Sequence, residues 1–407
     1  MLLRTLLLFS FLFASSSFAW SQKIDEKKIK THIKILADDA MQGRQTGSEG
    51  ERLALEYIEK QFKNLNLLPK GESSTYTQVF PFKAGMHGTG TEGVAHNVLA
   101  YLDNQADKTI IIGAHYDHLG RAENGSSLDA NPTGKIHNGA DDNASGVAGV
   151  IELARYFSTN NVKEKSNFLF ICFSGEELGL FGSKYYTEHP TIELLNVTYM
   201  INMDMIGRLN PTTKSVSISG SGTSPVWEPT LKTMSTKLAI KTDSSGIGPS
   251  DHSSFYLKDI PVLHFFTGSH SDYHKPSDDW DKINYSGEKE VLELIIAVIE
   301  KLDSESKLAF LTTKNKSMSS ARSFKVTLGV MPSYTSDASG LLIDGVTENR
   351  PAHKAGILTG DILTQIGEYP IKDIQNYMDA LGKFEKGQTV PVKVKRKGEL
   401  LTLNITF

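Results

Sequence analysis

Three apolar runs, at 110–114, 168–173 and 197–203, each give way to side chains that can hold a metal or move a proton. His115 follows the first at once, Glu176 and Glu177 follow the second after a Ser-Gly pair, and Asp204 follows the third. Runs this short and this apolar read as strands buried within a sheet, and helical periodicity at 146–157 and 178–186 falls between them. Strands alternating with helices predict a three-layer α/β/α domain around a mostly parallel, mixed sheet. Ligands in such sheets bind beyond the carboxyl ends of the strands. The three runs therefore deliver their ionisable residues to one face, and a fourth run at 261–266 leads through a loop to His274.

The flanking pattern completes this domain. Apolar residues recur at helical spacing through Ile24, Ile29, Ile33 and Leu36, and again through Leu53, Ile58 and Phe62, with a glycine-rich connection at 43–50 between them. Shorter β-type runs stand at 78–82, 97–101 and 216–219. Helices are expected at 226–238 and, closing the domain, at 289–308. A Lys- and Ser-rich stretch at 312–320 then separates a different texture: β runs at 325–331, 341–346, 362–366, 390–395 and 400–407, with short helices at 352–355 and 374–381. The expected organisation is a leader at 1–19, a first domain at 23–310, a linker at 311–321 and a small β-rich domain at 322–407.

Composition excludes some partners. The 47 acidic and 43 basic residues nearly balance, which gives no electrostatic case for nucleic acid. Arg4, the apolar stretch 6–13 and Ser17-Phe18-Ala19 have the order of a secretory signal, so an exported, periplasmic or secreted protein is expected. The apolar stretch is shorter than the ~20 residues of a membrane span, so no stable membrane insertion is expected. Cys172 is the only cysteine, lies in an apolar run and is expected in the core; an intrachain disulfide is impossible.

Taken singly, each polar motif has an ordinary explanation. His115 and Asp117 form an H-x-D pair that a surface loop would also produce, although a carboxylate beside a ligating imidazole fixes its tautomer. Asp141-Asp142-Asn143 could cap the helix that follows. Glu176-Glu177 could be a solvated helix start, yet two adjacent acids at a strand end repel unless a cation lies near. Asp204 stands in an otherwise apolar segment, where an unpaired carboxylate is costly. His274 lies in a polar stretch, 269–281, that alone reads as a solvated loop. Together, two imidazoles, three carboxylates and a spare glutamate suit a pair of divalent metals with a general base. Nitrogen and oxygen donors without cysteine favour a catalytic zinc site over a structural one.

The order of these motifs resembles the M28 family of zinc metallopeptidases. The resemblance rests on GAHYDHLG at 113–120, NGADDNASG at 138–146, FSGEELGL at 173–180, NMDM at 202–205, SDHSSF at 250–255 and DYH at 272–274. It implies that Asp141 bridges two zinc ions, with Glu177 and His274 completing one site and His115 and Asp204 the other. Glu176 would be the general base and Asp117 would support His115. A cis peptide is implied at Asp141–Asp142, and Ser250, Asp251 and His252 would lie on a loop beside the substrate, although they could equally cap a helix before Phe255. Several relatives place a tyrosine shortly before that last stretch to steady the oxyanion; positions 246–249, GIGP, have none, which leaves that role open. The segment 68–97 is too short for the protease-associated domain that many secreted members insert. The stretch between Asp204 and His274 is taken up by predicted sheet and helix, which disfavours the lid-bearing M20 hydrolases.

The C-terminal region resembles a PDZ domain of exported bacterial proteases, through TLGV at 327–330, GVTENRPAHKAG at 345–356 and LTGDILTQIG at 358–367. Thr327, Leu328, Gly329 and Val330 would form the loop whose N–H groups hold a peptide's terminal carboxylate; a small packing domain with an unused groove is the alternative. The expectation is an aminopeptidase that removes N-terminal residues from peptide or protein substrates, with a peptide C-terminus in the PDZ groove. Carboxypeptidase or glutaminyl cyclase chemistry on the same fold, and an inert peptide-binding adaptor, remain as alternatives.

Overall fold

The computed structural model describes residues 23–83, 92–122, 126–129, 131–313, 326–332, 340–346, 350–372 and 374–407. The expected leader at 1–19 and residues 314–321 of the expected linker lie outside them. Nine strands build the first sheet among the described residues: β1 (Leu68–Pro69), β2 (Thr77–Lys83), β3 (Glu92–Leu102), β4 (Thr109–His115), β5 (Asn167–Phe173), β6 (Val197–Met203), β7 (Ser215–Ser219), β8 (Ala239–Asp243) and β9 (Val262–Phe266). Their order is β1-β3-β5-β4-β6-β9-β7-β8, with β2 paired to β3. The central β5, β4, β6 and β9 are parallel, while β3 and β7 join antiparallel on either side. The sheet is therefore mixed, as expected.

Strand side chains alternate between faces, and the two faces meet different helices. Ile110, Ile112, Phe168, Phe170 and Ile201 pack with α1 (Glu26–Leu36), α2 (Glu49–Asn64), α3 (Gly146–Thr159) and, on the same side, the long helix Tyr285–Leu302. Ile111, Leu169, Ile171 and Met200 pack the other way, against Tyr186 of α4 (Phe181–Glu188) and Phe255 and Tyr256 of a short helix, His252–Tyr256. Numbered in chain order, α5 is Trp227–Lys232, α6 is His252–Tyr256 and α7 is Tyr285–Leu302. Cys172 is wholly buried in the first of these cores. Ser48 starts α2 by accepting the N–H of Glu51, and Glu51 returns a carboxylate oxygen to the N–H of Gly47.

The helix expected at 226–238 is shorter, since α5 ends at Lys232 and the chain returns as β8, an edge strand in which Ile240 packs, half-buried, against the core. Leu311 and Thr313 do not belong to a free linker. Leu311 N–H donates to Thr223 O, and Thr313 N–H donates to the Tyr256 hydroxyl oxygen at 2.8 Å.

The C-terminal unit has a separate core. Strands β10 (Val330–Pro332), β11 (Leu341–Val346), β12 (Ile362–Ile366), β13 (Tyr369–Pro370), β14 (Thr389–Arg396) and β15 (Glu399–Thr406) pair antiparallel throughout, with α8 (Pro351–Lys354) and α9 (Ile374–Leu381). Leu328, Ile343, Leu363, Val392, Val394 and Ile405 fill the space between them.

Candidate metal centre

The parallel strands place the expected residues together. His115 ends β4, Glu176 and Glu177 follow β5, Asp204 follows β6, and His274 lies in the loop after β9. The turn at 140–145, before α3, brings in a further carboxylate from below. That carboxylate is Asp142, not the expected Asp141. Its Oδ1 lies 3.4 Å from His115 Nε2, and its Oδ2 lies 3.2 Å from His274 Nε2. On the outer sides, Asp204 Oδ1 is 3.4 Å from His115 Nε2 and Glu177 Oε2 is 3.2 Å from His274 Nε2.

Asp141 faces the other way. Its Oδ1 accepts from Gly207 N–H at 2.7 Å and from the Ser145 hydroxyl at 3.1 Å, and its Oδ2 sits 3.2 Å from His270 Nε2. The cis peptide likewise falls one bond later than expected, at Asp142–Asn143. Two identical neighbours give the sequence no means of saying which one faces the histidines. Asp278 holds this turn from behind, accepting the N–H groups of both Asp141 and Asp142 at 3.0 and 3.1 Å.

Asp117 also acts differently from expectation. Its Oδ1 is 3.7 Å from His115 Nδ1, beyond hydrogen-bond reach, and the nearer partner of that nitrogen is the Asp117 carbonyl oxygen at 3.2 Å. The carboxylate instead accepts from the Thr46 hydroxyl at 2.8 Å and from Glu176 N–H at 3.2 Å. It thus ties the connection at 43–47 to the start of the Glu pair.

The two glutamates have different surroundings. Against the cost of burial, His274 and His118 hold Glu177 well below the ordinary carboxylate range. Burial pushes Glu176 well above that range, opposed by His115 and assisted by Asp204 and Glu177. Neighbouring carboxyls driven apart in this way can take different roles, one as a fixed anion and one as a proton carrier.

His118 also reaches this centre. Its Nδ1–H donates to Glu177 Oε1 at 2.8 Å, a hydrogen-bond length, and it lies 3.7 Å from Asp142 Oδ2. Zinc bound at ~2.0–2.1 Å in tetrahedral geometry sets neighbouring ligand atoms about 3.3–3.4 Å apart. The four contacts made by His115 and His274, at 3.2–3.4 Å, match that edge length. The His118 contact is shorter and suits a residue that orients Glu177. His115, Asp142, Asp204, Glu177 and His274 therefore form a donor set that fits zinc.

Sequence reasoning missed Arg44 altogether. Its guanidinium is wholly buried and donates to four carbonyl oxygens: Tyr116 from Nε, Leu36 and Asn138 from Nη1, and Gly139 from Nη2. The loops flanking His115 and Asp142 are fastened to this one cation. An arginine inside the glycine-rich stretch 43–50 was the available signal.

A cavity of about 300 Å³ opens over the centre. Glu176, Asp204, Met205, Ile247, Phe266 and Tyr273 line it, with Val330 of the C-terminal unit. Ser250 and His252 also line it. Asp251 is buried behind them; burial pushes its carboxyl up to about 7, and it makes no side-chain cap to α6. In the C-terminal unit, Thr327 to Val330 lead into β10; the Leu328 carbonyl accepts from Ala352 N–H, and Gly329 has φ +71°.

Known proteins agree with this architecture. Peptidase family M28 matches residues 97–299, and a PDZ domain matches residues 325–407. Leupeptin-inactivating enzyme 1 of Streptomyces exfoliatus is 36% identical over 154 residues, 37% of this chain and 33% of its own length. Aminopeptidase YwaD of Bacillus subtilis is 29% identical over 173 residues, covering 40% of this chain and 37% of its own. The chain thus spans about a third of the length of each of these two relatives. Among solved structures, a Zn-dependent exopeptidase from Parabacteroides distasonis has a TM-score of 0.56 at 17% identity, over 69% of this chain and 99% of its own. Bacteroides thetaiotaomicron glutaminyl cyclase has a TM-score of 0.55 at 19% identity, over 69% and 98%. These two likenesses establish the fold. The chain therefore carries a peptidase family M28 domain at 97–299, followed by a PDZ domain at 325–407.

Proposed function

We propose that this protein is an exported, zinc-dependent aminopeptidase that holds two zinc ions and removes residues from the N-terminus of peptides. One observation carries the reading: the Asp142 carboxylate stands between His115 and His274, with Asp204 and Glu177 on the outer sides. His115, Asp142 and Asp204 would hold one ion, and His274, Asp142 and Glu177 the other. When bound, zinc supplies Lewis acidity toward a carbonyl and makes water a better nucleophile at neutral pH.

The protein's own residues supply the rest. Glu176 has no role in the donor set, faces the cavity and stays close to His115 and Asp204. It takes a proton from the attacking water and returns it to the nitrogen of the departing amine. Asp117 fixes the Glu176 backbone through its N–H, and Thr46 fixes Asp117. His118 keeps Glu177 turned toward His274.

The cavity's charge favours the amino end of a peptide over its carboxyl end. Among the described residues that line it, none is Lys or Arg, while Glu176 and Asp204 are both acidic. A carboxypeptidase needs a cation for the free carboxylate, and a free ammonium group suits acids. The order of residues 1–19 supports export. The PDZ domain supports binding of peptide C-termini, with Thr327, Leu328, Gly329 and Val330 as the carboxylate loop.

The test is metal content by mass spectrometry, with aminoacyl-p-nitroanilide hydrolysis on the same preparation before and after chelation. Two zinc ions per chain and chelator-sensitive release are expected, with no release from N-acetylated peptides. Cleavage of acetylated peptides from the carboxyl end would move the assignment to a carboxypeptidase. Ammonia release from an N-terminal glutaminyl peptide, without hydrolysis, would move it to a cyclase.

A further inference from the structure

The peptidase reading leaves one group without a source, the donor that steadies the carbonyl oxygen as it becomes negative. His264 lies on β9 directly beside Asn202 of β6, two residues before Asp204 in that neighbouring strand's path. It lines the same cavity as Glu176, Asp204 and His115, and only 8% of its surface is exposed. Its Nδ1 lies 3.1 Å from Asn202 Nδ2, and the same amide donates to Ser250 Oγ at 2.8 Å. With Nδ1 accepting from Asn202, the ring proton resides on Nε2.

The ring is held between aromatic neighbours and is largely buried. His252 stacks on it at 4.4 Å and 9°, and Phe266 lies nearly parallel at 6.4 Å. Burial lowers its pKa to about 4, against the pull of Asp204 and with the help of His115, so the imidazole is neutral at ordinary pH. A neutral N–H adds no positive charge beside a cationic substrate amine or a metal. It can still donate a hydrogen bond to an oxygen that gains charge, and a preorganised donor in a dry site stabilises such an oxygen strongly.

We propose that His264, through Nε2–H, is the hydrogen-bond donor to the scissile carbonyl oxygen in the transition state, the role left open by the absence of a tyrosine at 246–249. The inference rests on the aminopeptidase reading and adds a residue to it. Tyr273, which also lines the cavity, is the competing donor.

The experiment uses the full-length, zinc-loaded protein and three variants: His264→Phe, which keeps a stacking ring without N–H, His264→Gln, which restores a donor, and Tyr273→Phe. For His264→Phe, kcat on an aminoacyl-p-nitroanilide should fall about 10²–10³-fold, the loss typical of one oxyanion donor, with KM and zinc content little changed. His264→Gln should recover a large part of that loss. An α-aminoalkylphosphonate, a tetrahedral mimic, should lose affinity by a similar factor in calorimetry, while the product amino acid binds as before. Loss of kcat in Tyr273→Phe but not in His264→Phe would overturn the assignment. So would unchanged phosphonate affinity in a folded, zinc-loaded His264→Phe or His264→Gln. Failure of the wild-type protein to release any amino acid refutes the peptidase reading instead, and the calorimetric comparison still judges His264.

Discussion

Asp278 receives the backbone N–H of Asp142 at 3.1 Å, from 136 residues further along the chain. The same carboxylate receives Asp141 N–H, so the turn is fixed and its two acidic side chains diverge. Asp142→Asn should therefore lose zinc and activity together, because one amide cannot replace both carboxylate oxygens between His115 and His274. Asp141→Asn should keep its metal, since an amide oxygen can still accept from Gly207 and Ser145. Zinc content by mass spectrometry separates the two variants; the reverse pattern would return the central position to Asp141.

This pair also shows what the sequence could and could not reveal. Strands such as 168–173 were legible because a short, wholly apolar run has an abrupt end, and that end marks where His115, Glu176 and Asp204 stand. Adjacent aspartates carry no such signal, because the direction of each depends on Asp278, which lies in a stretch that reads as solvated loop. That stretch, 269–281, holds His270, Asp272, His274 and Asp278, each paired through contacts that no local pattern encodes. Arg44 was invisible for a related reason: its four partners are carbonyl oxygens, which every residue has. Edge strand β8 was missed because Ile240 is its one large apolar residue, too little for a periodic pattern.

Glu176→Gln should lower turnover by roughly 10²–10⁴-fold, the usual contribution of a positioned base. Its metal content should match the wild type, since Glu176 makes none of the imidazole contacts that mark the donor set. Normal peptide hydrolysis by this variant would remove the assigned base.

Arg44 couples fold and site. Burial lowers its pKa to about 10, with Asp142 and Asp117 pulling the other way, so it remains charged at neutral pH. Arg44→Met leaves four buried carbonyl oxygens without this donor and should cost on the order of 3 kcal/mol. Arg44→Lys should recover little, because one ammonium cannot reach partners that a guanidinium fork spans. Denaturant melts in zinc and in chelator test this. An unchanged midpoint for Arg44→Met would show that the loops at 116–118 and 138–139 hold without it.

Glu288 gives a pH signature. It is wholly buried in α7, neither carboxyl oxygen meets a protein donor among the described residues, and burial, Asp141 and Glu152 hold its pKa well above the ordinary value. A carboxyl raised in the folded state favours folding only while protonated. Above about pH 4.3 the unfolded chain releases this proton and the folded chain keeps it, a cost of roughly 1.4 kcal/mol per pH unit until the folded group titrates. Glu288→Gln should therefore melt like the wild type at pH 4 and at a progressively higher temperature than the wild type as pH rises. Parallel melting curves across pH 4–8 would mean that Glu288 is ionised in a compensated setting.

The last prediction concerns the join between the two domains. Leu328, Ile343 and Val392 pack in a core distinct from the one beneath the metal centre, while Leu311 and Thr313 are bonded to Thr223 and Tyr256 of the peptidase domain. A chain ending at residue 321 keeps those bonds and should fold. Its hydrolysis of an aminoacyl-p-nitroanilide should stay within about threefold of the full chain, since separate cores without shared partners act nearly independently. Among the described residues, only Val330 reaches the cavity lining from the C-terminal side, so longer peptides should register the deletion more than the anilide does. A folded truncation that has lost anilide hydrolysis would make the PDZ domain part of the catalytic unit.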